Sequence, residues 1–179
     1  MKVVCLGSQQ VYAGRIVRLE VDRVRLPDGR ETQWEVVRHP RAVVVVPVLP
    51  DGRIVGVMQF RYAVGQELWE LPAGIVKEDQ EEPHDCAHRE LREETGYRAH
   101  RLTFLGEFFT SPGFTDERMF AFLAEELEPV GQSLEHDEFL RVMPLSWEEI
   151  QQRATTVKLR DGKTLAALYL YALYRLHSG

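Results

Sequence analysis

Glu90, Glu93 and Glu94 lie in the run Arg89-Glu90-Leu91-Arg92-Glu93-Glu94-Thr95-Gly96. On a helix, where successive side chains are about 100° apart, these three carboxylates fall within about a 100° sector. Like charges four residues apart destabilise a helix unless something neutralises them. An oxygen-preferring divalent ion such as Mg²⁺ or Mn²⁺ would do so, the plainer alternative being a solvated acidic face. Ala87, Leu91 and Thr95 supply an apolar side, so the acidic face belongs to a helix packed on a core.

The elements that must position this cluster follow from the flanking sequence. Pro83 suits the first position of a helix and Gly96 the position just past its end, which predicts a helix over 83–95. Residues 11–26 and 31–38 alternate around Pro27-Asp28-Gly29 and read as a hairpin. Two apolar runs, 42–49 and 53–60, flank Pro50-Asp51-Gly52 and read as a second hairpin, buried on both faces, with Pro47 marking an edge or bulge. A short extended piece ends at Ala73-Gly74. Strands are expected near 102–109 and 118–124, joined by Ser111-Pro112-Gly113-Phe114. Ser146-Trp147-Glu148-Glu149 is a capping box, and 164–176 closes the chain as a helix. The sum is one α+β domain, consistent with 179 residues of ordinary globular composition.

The net charge of −6 is local. Glu78 to Glu94 holds eight carboxylates against two arginines, and the remainder of the chain is neutral. The acidic total disfavours nucleic acid as a partner. No apolar run approaches a membrane span, and Cys5 and Cys86 form no framework, so a cytoplasmic location is expected.

Gly74, Glu81 and the run from Arg89 to Tyr97 resemble the signature of the Nudix hydrolases, Gly-x5-Glu-x7-Arg-Glu-U-x-Glu-Glu-x-Gly-U with U apolar. The second half matches. In the first, six residues rather than five separate Gly74 from Glu81, which puts an extra residue in the loop ahead of the helix. The resemblance implies an α/β/α sandwich with a mixed sheet. It also implies attack of metal-activated water on a nucleoside diphosphate linked to a further group, with two or three Mg²⁺ or Mn²⁺ ions. By position, Glu90, Glu93, Glu94 and the backbone carbonyl of Ala73 would be metal ligands, with Glu93 also aiding the bound water. Arg89 would pair with a loop carboxylate such as Glu81.

Further segments resemble the ADP-ribose pyrophosphatase branch: Gln59-Phe60-Arg61, Glu70-Leu71-Pro72-Ala73-Gly74 and Ser111 to Glu117, with Pro112 placed 16 residues after Gly96. The resemblance implies cleavage of ADP-ribose to AMP and ribose 5-phosphate. Arg61 would meet the phosphates, or be a surface arginine at a strand end. Ser111 and Glu117 would meet the ribose and metal region, or Ser111 would only begin a tight turn. The resemblance also implies a late acidic loop followed by a strand over 139–142, in which Glu138 is expected as the general base or water-orienting group, with His136 in place of the branch's usual acid and Glu135 as the alternative. The branch exchanges N-terminal strands across a homodimer, which implies that residues 1–40 form an exchanged antiparallel region and 41–179 the main domain. Ile16, Trp34 and Glu35 would then contact the base of a partner's substrate, while Gln33 replaces an arginine of one relative type. The rivals are another nucleotide sugar such as GDP-mannose, a dinucleotide, or a non-catalytic ligand sensor.

Overall fold

The computed structural model describes residues 2–77, 80–134, 136 and 138–178. They fall into two compact units: the chain up to Arg41 with Phe109–Arg118, and Ala42–Phe108 with the chain from Met119 onward.

The first unit is an antiparallel sheet of β1 (Val4–Ala13), β2 (Arg18–Arg25) and β3 (Glu31–Arg38) in that order. The stretch expected as a single strand from residue 11 to 26 is broken, because Gly14 donates its N–H to Val17 at 2.9 Å and turns the chain back. Pro27-Asp28-Gly29 forms the expected turn, with Gly29 at φ 89°, where a side chain would be strained. The loop 111–117 is held to β3 through Val37 N–H to Phe114 and Asp116 N–H to Val37. Arg38 strengthens this by bonding Glu20, Asp22 and Asp116.

The second unit is organised by β4 (Ala42–Pro47), every residue of which is buried. It pairs antiparallel with β7 (Ala73–Ile75) and parallel with β9 (Arg118–Pro129), and β8 (Tyr97–Phe109) completes the order β7-β4-β9-β8. Val43 and Val45 enter a core built with Cys86, Ala87 and Leu91 of α1 (Pro83–Thr95). Val44 and Val46 enter a second core with Ala167, Leu168 and Tyr171 of α3 (Gly162–Ser178). One helix therefore covers each face of a mixed sheet, the α/β/α sandwich expected from the resemblance. That explains the unbroken apolar run, since a strand covered on both sides has no polar face.

The expected second hairpin is a corner. β5 (Ile54–Arg61) pairs with β10 (Leu140–Leu145) and β6 (Gln66–Glu70) in a sheet of its own, and the bridge Val48–Ile54 with the bond from Leu49 N–H to the Arg53 carbonyl joins it to the end of the preceding run. Pro47 is not in a bulge, and it is at an edge only on the β7 side, which stops short of it. It is the last residue of an internal strand, opposite Ala124. Val45 donates to Pro72 on the β7 side, and two residues later the missing N–H of Pro47 faces the same side beyond the paired segment, so no ladder bond is lost.

Both other helices start as the sequence predicts. Pro83 opens α1, and Gly96 closes it at φ 74°. Ser146 and Glu149 form a complete capping box on α2 (Trp147–Thr155). Among the described residues, no helix is long and apolar enough to cross a membrane.

Candidate active site

The core-facing side of α1 is fixed by Cys86, Ala87 and Leu91, and that choice buries Glu90 and Glu94 as well, at 7% and 5% exposure. Glu94 accepts the N–H of Ala73 at 3.1 Å, which ties the helix to the end of β7. Gly74 follows, and a Cβ there would overlap the Glu90 carboxylate, so only glycine lets the strand approach the helix this closely.

Burial pushes the Glu90 carboxyl up to about 7, against the opposing pull of Arg89, and the charges of Glu93 and Glu138 add to the rise. Glu94 is pushed up to about 8 by burial first and then by the charge of Glu90, which outweigh the Ala73 N–H and Arg61. Two acids this reluctant to ionise side by side are a site built for added positive charge.

Arg89 braces the cluster from the other side. Its Nε and Nη2 donate to Glu81 at 3.0 and 2.7 Å, and its Nη1 to Glu90 at 2.6 Å and Glu93 at 3.1 Å. These bonds to Arg89 hold the Glu81 carboxyl down at about 2 despite partial burial. Glu81 also accepts the N–H of Lys77 at 2.9 Å, so both ends of the loop before α1 are pinned. The Glu81–Arg89 pair thus forms across the longer spacing. Two residues of that loop, Glu78 and Asp79, lie outside the described residues.

Among the described residues, no three His, Cys, Asp or Glu side chains converge as a ready-made metal cage. Arg89 holds Glu90 and Glu93, and the Ala73 N–H holds Glu94. The donor set is nonetheless all oxygen, buried and short of cations, which fits a hard divalent ion.

Glu138 is half-buried and near enough to raise both Glu90 and Glu94 by its charge. Its segment is tied to the end of α1 by Ser133 N–H to Glu93 at 3.1 Å and Val130 N–H to Gly96 at 2.8 Å. His136 is exposed, and the alternative base Glu135 lies outside the described residues. Arg61 comes close enough to Glu94 to interact with its charge, but its Nε and Nη2 are bonded to Glu70 at 2.8 and 2.6 Å. Burial alone would raise the Glu70 carboxyl, yet Arg61 and Lys163 together hold it below its ordinary range.

Sequence reasoning missed Glu70, Asp161 and Lys163. A signal was present in Asp161-Gly162-Lys163-Thr164, where Asp161 accepts the Thr164 N–H at 3.0 Å as the cap of α3.

The remaining expected residues belong to the first unit. Trp34 and Glu35 line a groove of about 900 Å³ with Gln33, Arg38 and the loop from Pro112 to Asp116. Trp34 stands 46% exposed and Ile16 42%. Ser111 accepts the N–H groups of Phe114 and Thr115 through its carbonyl, so it does build a turn. Glu117 accepts from the Thr110 hydroxyl at 2.6 Å and lies 3.5 Å from His39.

Residues 4–37 match a nucleoside diphosphate sugar hydrolase N-terminal domain. An ADP-ribose pyrophosphatase of Bacillus subtilis (strain 168) is 41% identical over 165 residues, covering 91% of this chain and 89% of that protein. An ADP-ribose pyrophosphatase of Mycobacterium tuberculosis (strain ATCC 25618 / H37Rv) is 40% identical over 85% of this chain and 73% of its own length. In fold, the chain resembles an ADP compounds hydrolase crystal structure with a TM-score of 0.86 and 23% identity, covering 100% and 97% of the two chains. Residues 38–168 match the NUDIX domain, the stretch that contains the whole carboxylate helix and the strands around it, and the chain belongs to the Nudix family.

Proposed function

We propose that the protein hydrolyses the pyrophosphate of ADP-ribose, or of a closely related nucleoside diphosphate sugar, to AMP and ribose 5-phosphate. The observation that carries this reading is the burial of Glu90 and Glu94 side by side on α1, where ionisation needs a cation. The names of the Bacillus and Mycobacterium relatives and the N-terminal domain match support the substrate.

Glu90, Glu94 and the carbonyl of Ala73 would hold Mg²⁺ or Mn²⁺, two or three per site, with Glu93 as a further ligand. Bound there, the ions offset pyrophosphate charge and lower the pKa of water. Glu138 takes the proton of the attacking water as it adds to phosphorus, and the bridging P–O bond breaks, leaving one phosphate on each product. Arg61 meets the pyrophosphate.

The homodimer belongs to the same reading. Ile16, Trp34 and Glu35 would contact a partner's adenine, with Ser111 and Glu117 near the ribose and metal region. The exposure of Trp34 beside an open groove supports it. Both cysteines are free, which suits a reducing, cytoplasmic setting.

A panel of ADP-ribose, GDP-mannose and dinucleotides, with Mg²⁺ or Mn²⁺ and products identified by chromatography, tests the proposal. AMP and ribose 5-phosphate from ADP-ribose are expected, with loss of turnover in Glu90→Gln and Glu94→Gln. Preference for GDP-mannose would overturn the substrate, and full activity in both variants would overturn the site. Sedimentation equilibrium tests the dimer, and a monomer would sink that part.

A further inference from the structure

A guanidinium that meets a phosphate from a free side chain gives up rotamer freedom on binding. Arg61 has already given it up. Its Nε and Nη2 form a fork on the two oxygens of Glu70, at 2.8 and 2.6 Å, and Glu70 is 1% exposed. A carboxylate buried to that degree, facing one partly exposed arginine, would be under-compensated. The second cation comes from the far end of the sequence: the Lys163 ammonium bonds Glu70 and, at 2.9 Å, Asp161. Asp161 is anchored as the cap of α3, and the Thr164 hydroxyl accepts the N–H of Leu71, the neighbour of Glu70, at 2.9 Å. Two cations and two anions thus cancel in a network attached at both ends to rigid elements. Among the described residues, Arg61 uses Nε and Nη2 on it, which leaves Nη1 for another acceptor.

We propose that Lys163 is a positioning residue, which through Glu70 fixes the Arg61 guanidinium beside the Glu90–Glu94 cluster so that it receives the pyrophosphate already oriented. This rests on the reading in which Arg61 meets the phosphates of ADP-ribose. The contact is made to bound substrate and transition state alike, so its loss raises KM more than it lowers kcat.

Steady-state kinetics with ADP-ribose and Mg²⁺ test it, alongside thermal melts as a check on folding. Lys163→Met should raise KM about tenfold and leave kcat within about threefold, as expected for lost uniform binding. Lys163→Arg should restore KM to within about threefold, because it keeps the charge and its donors. In an Arg61→Gln background, Lys163→Met should add less than about twofold, since a residue that acts through Arg61 has nothing left to position. If Lys163→Met does not fold, Lys163→Gln is measured in the same two backgrounds. An unchanged KM in the folded variant, or an equal rise with and without Arg61, overturns the proposal. An Arg61→Gln variant with native KM shows instead that the reading beneath it is wrong, and the proposal falls with it.

Discussion

Gly74 and Glu90 share one small volume: the glycine leaves empty the space that the Glu90 carboxylate fills. Strand β7 and helix α1 can therefore meet at the site only with glycine at this position. Gly74→Ala must push the carboxylate aside or open the strand. The expected outcome is a loss in kcat of roughly a hundredfold, since misplacing a catalytic group by about 1 Å has that effect. A melting temperature lowered by only a few degrees should accompany it. Kinetics and calorimetry on one preparation check this, and near-native kcat would refute the crowding.

Metal-free protein should lose stability as pH rises. Glu90 and Glu94 have folded pKa values of about 7 and 8 against 4.5 for the free group. The folded state therefore holds more protons than the unfolded state between about pH 4.5 and 8, and the contribution is complete below that window and lost through it. Melts in EDTA should fall by several degrees from pH 5 to pH 8, and Glu94→Gln should flatten the slope. Mg²⁺ or Mn²⁺ should reverse the fall. A melting temperature that rises across this range in EDTA contradicts the assignment.

Arg89 compensates three carboxylates at once. Arg89→Ala leaves them partly buried without a partner and should cost about 3 kcal/mol in urea denaturation. Glu81→Gln, which keeps the bulk and can still bond Arg89, should cost less. In native protein the Glu81 contribution acts in the opposite pH direction to that of Glu90. Its carboxyl is held down at about 2, so the stability is present above pH 4.5 and lost as pH falls toward 2. Equal costs for the two variants would be inconsistent with this division.

Val157, just past α2, has φ 56°, a left-handed conformation that a β-branched side chain resists, and the residue is 63% exposed. Glycine should relieve the strain without loss of packing. Val157→Gly is expected to stabilise the protein by about 1 kcal/mol, read from the urea midpoint with an unchanged slope. A destabilised variant would show that the backbone is held there by contacts of the valine.

The parts of the fold legible in the sequence were those set by local chemistry. Pro83 and Gly96 bracket α1, and Ser146 and Glu149 cap α2, because each end is decided within a few residues. The carboxylate spacing gave the face of α1 for the same reason. Pairing between distant strands was not legible. Residues 42–49 and 53–60 have the pattern of a hairpin, but β4 finds its partners in β7 and β9, and β5 in β6 and β10. The break at Gly14–Val17 was passed over although Gly14 and the adjacent apolar pair Ile16-Val17 interrupt the alternation there. Lys163 was missed because its partner Glu70 is 93 residues away, and no periodicity reaches that far.

The run Val43–Val46 looks the same from both faces of its sheet, so a slip of one residue would present valine to each core as before. Side-chain fit, which sets register in most strands, is here nearly silent. What distinguishes the native alignment is the strand's last residue. A slip that drew Pro47 opposite β7 would set its missing N–H against a carbonyl left without a donor. The proline at the end of β4 thus weighs against such a slip, and with it against displacing Ala73 and Gly74 from beside the carboxylate helix.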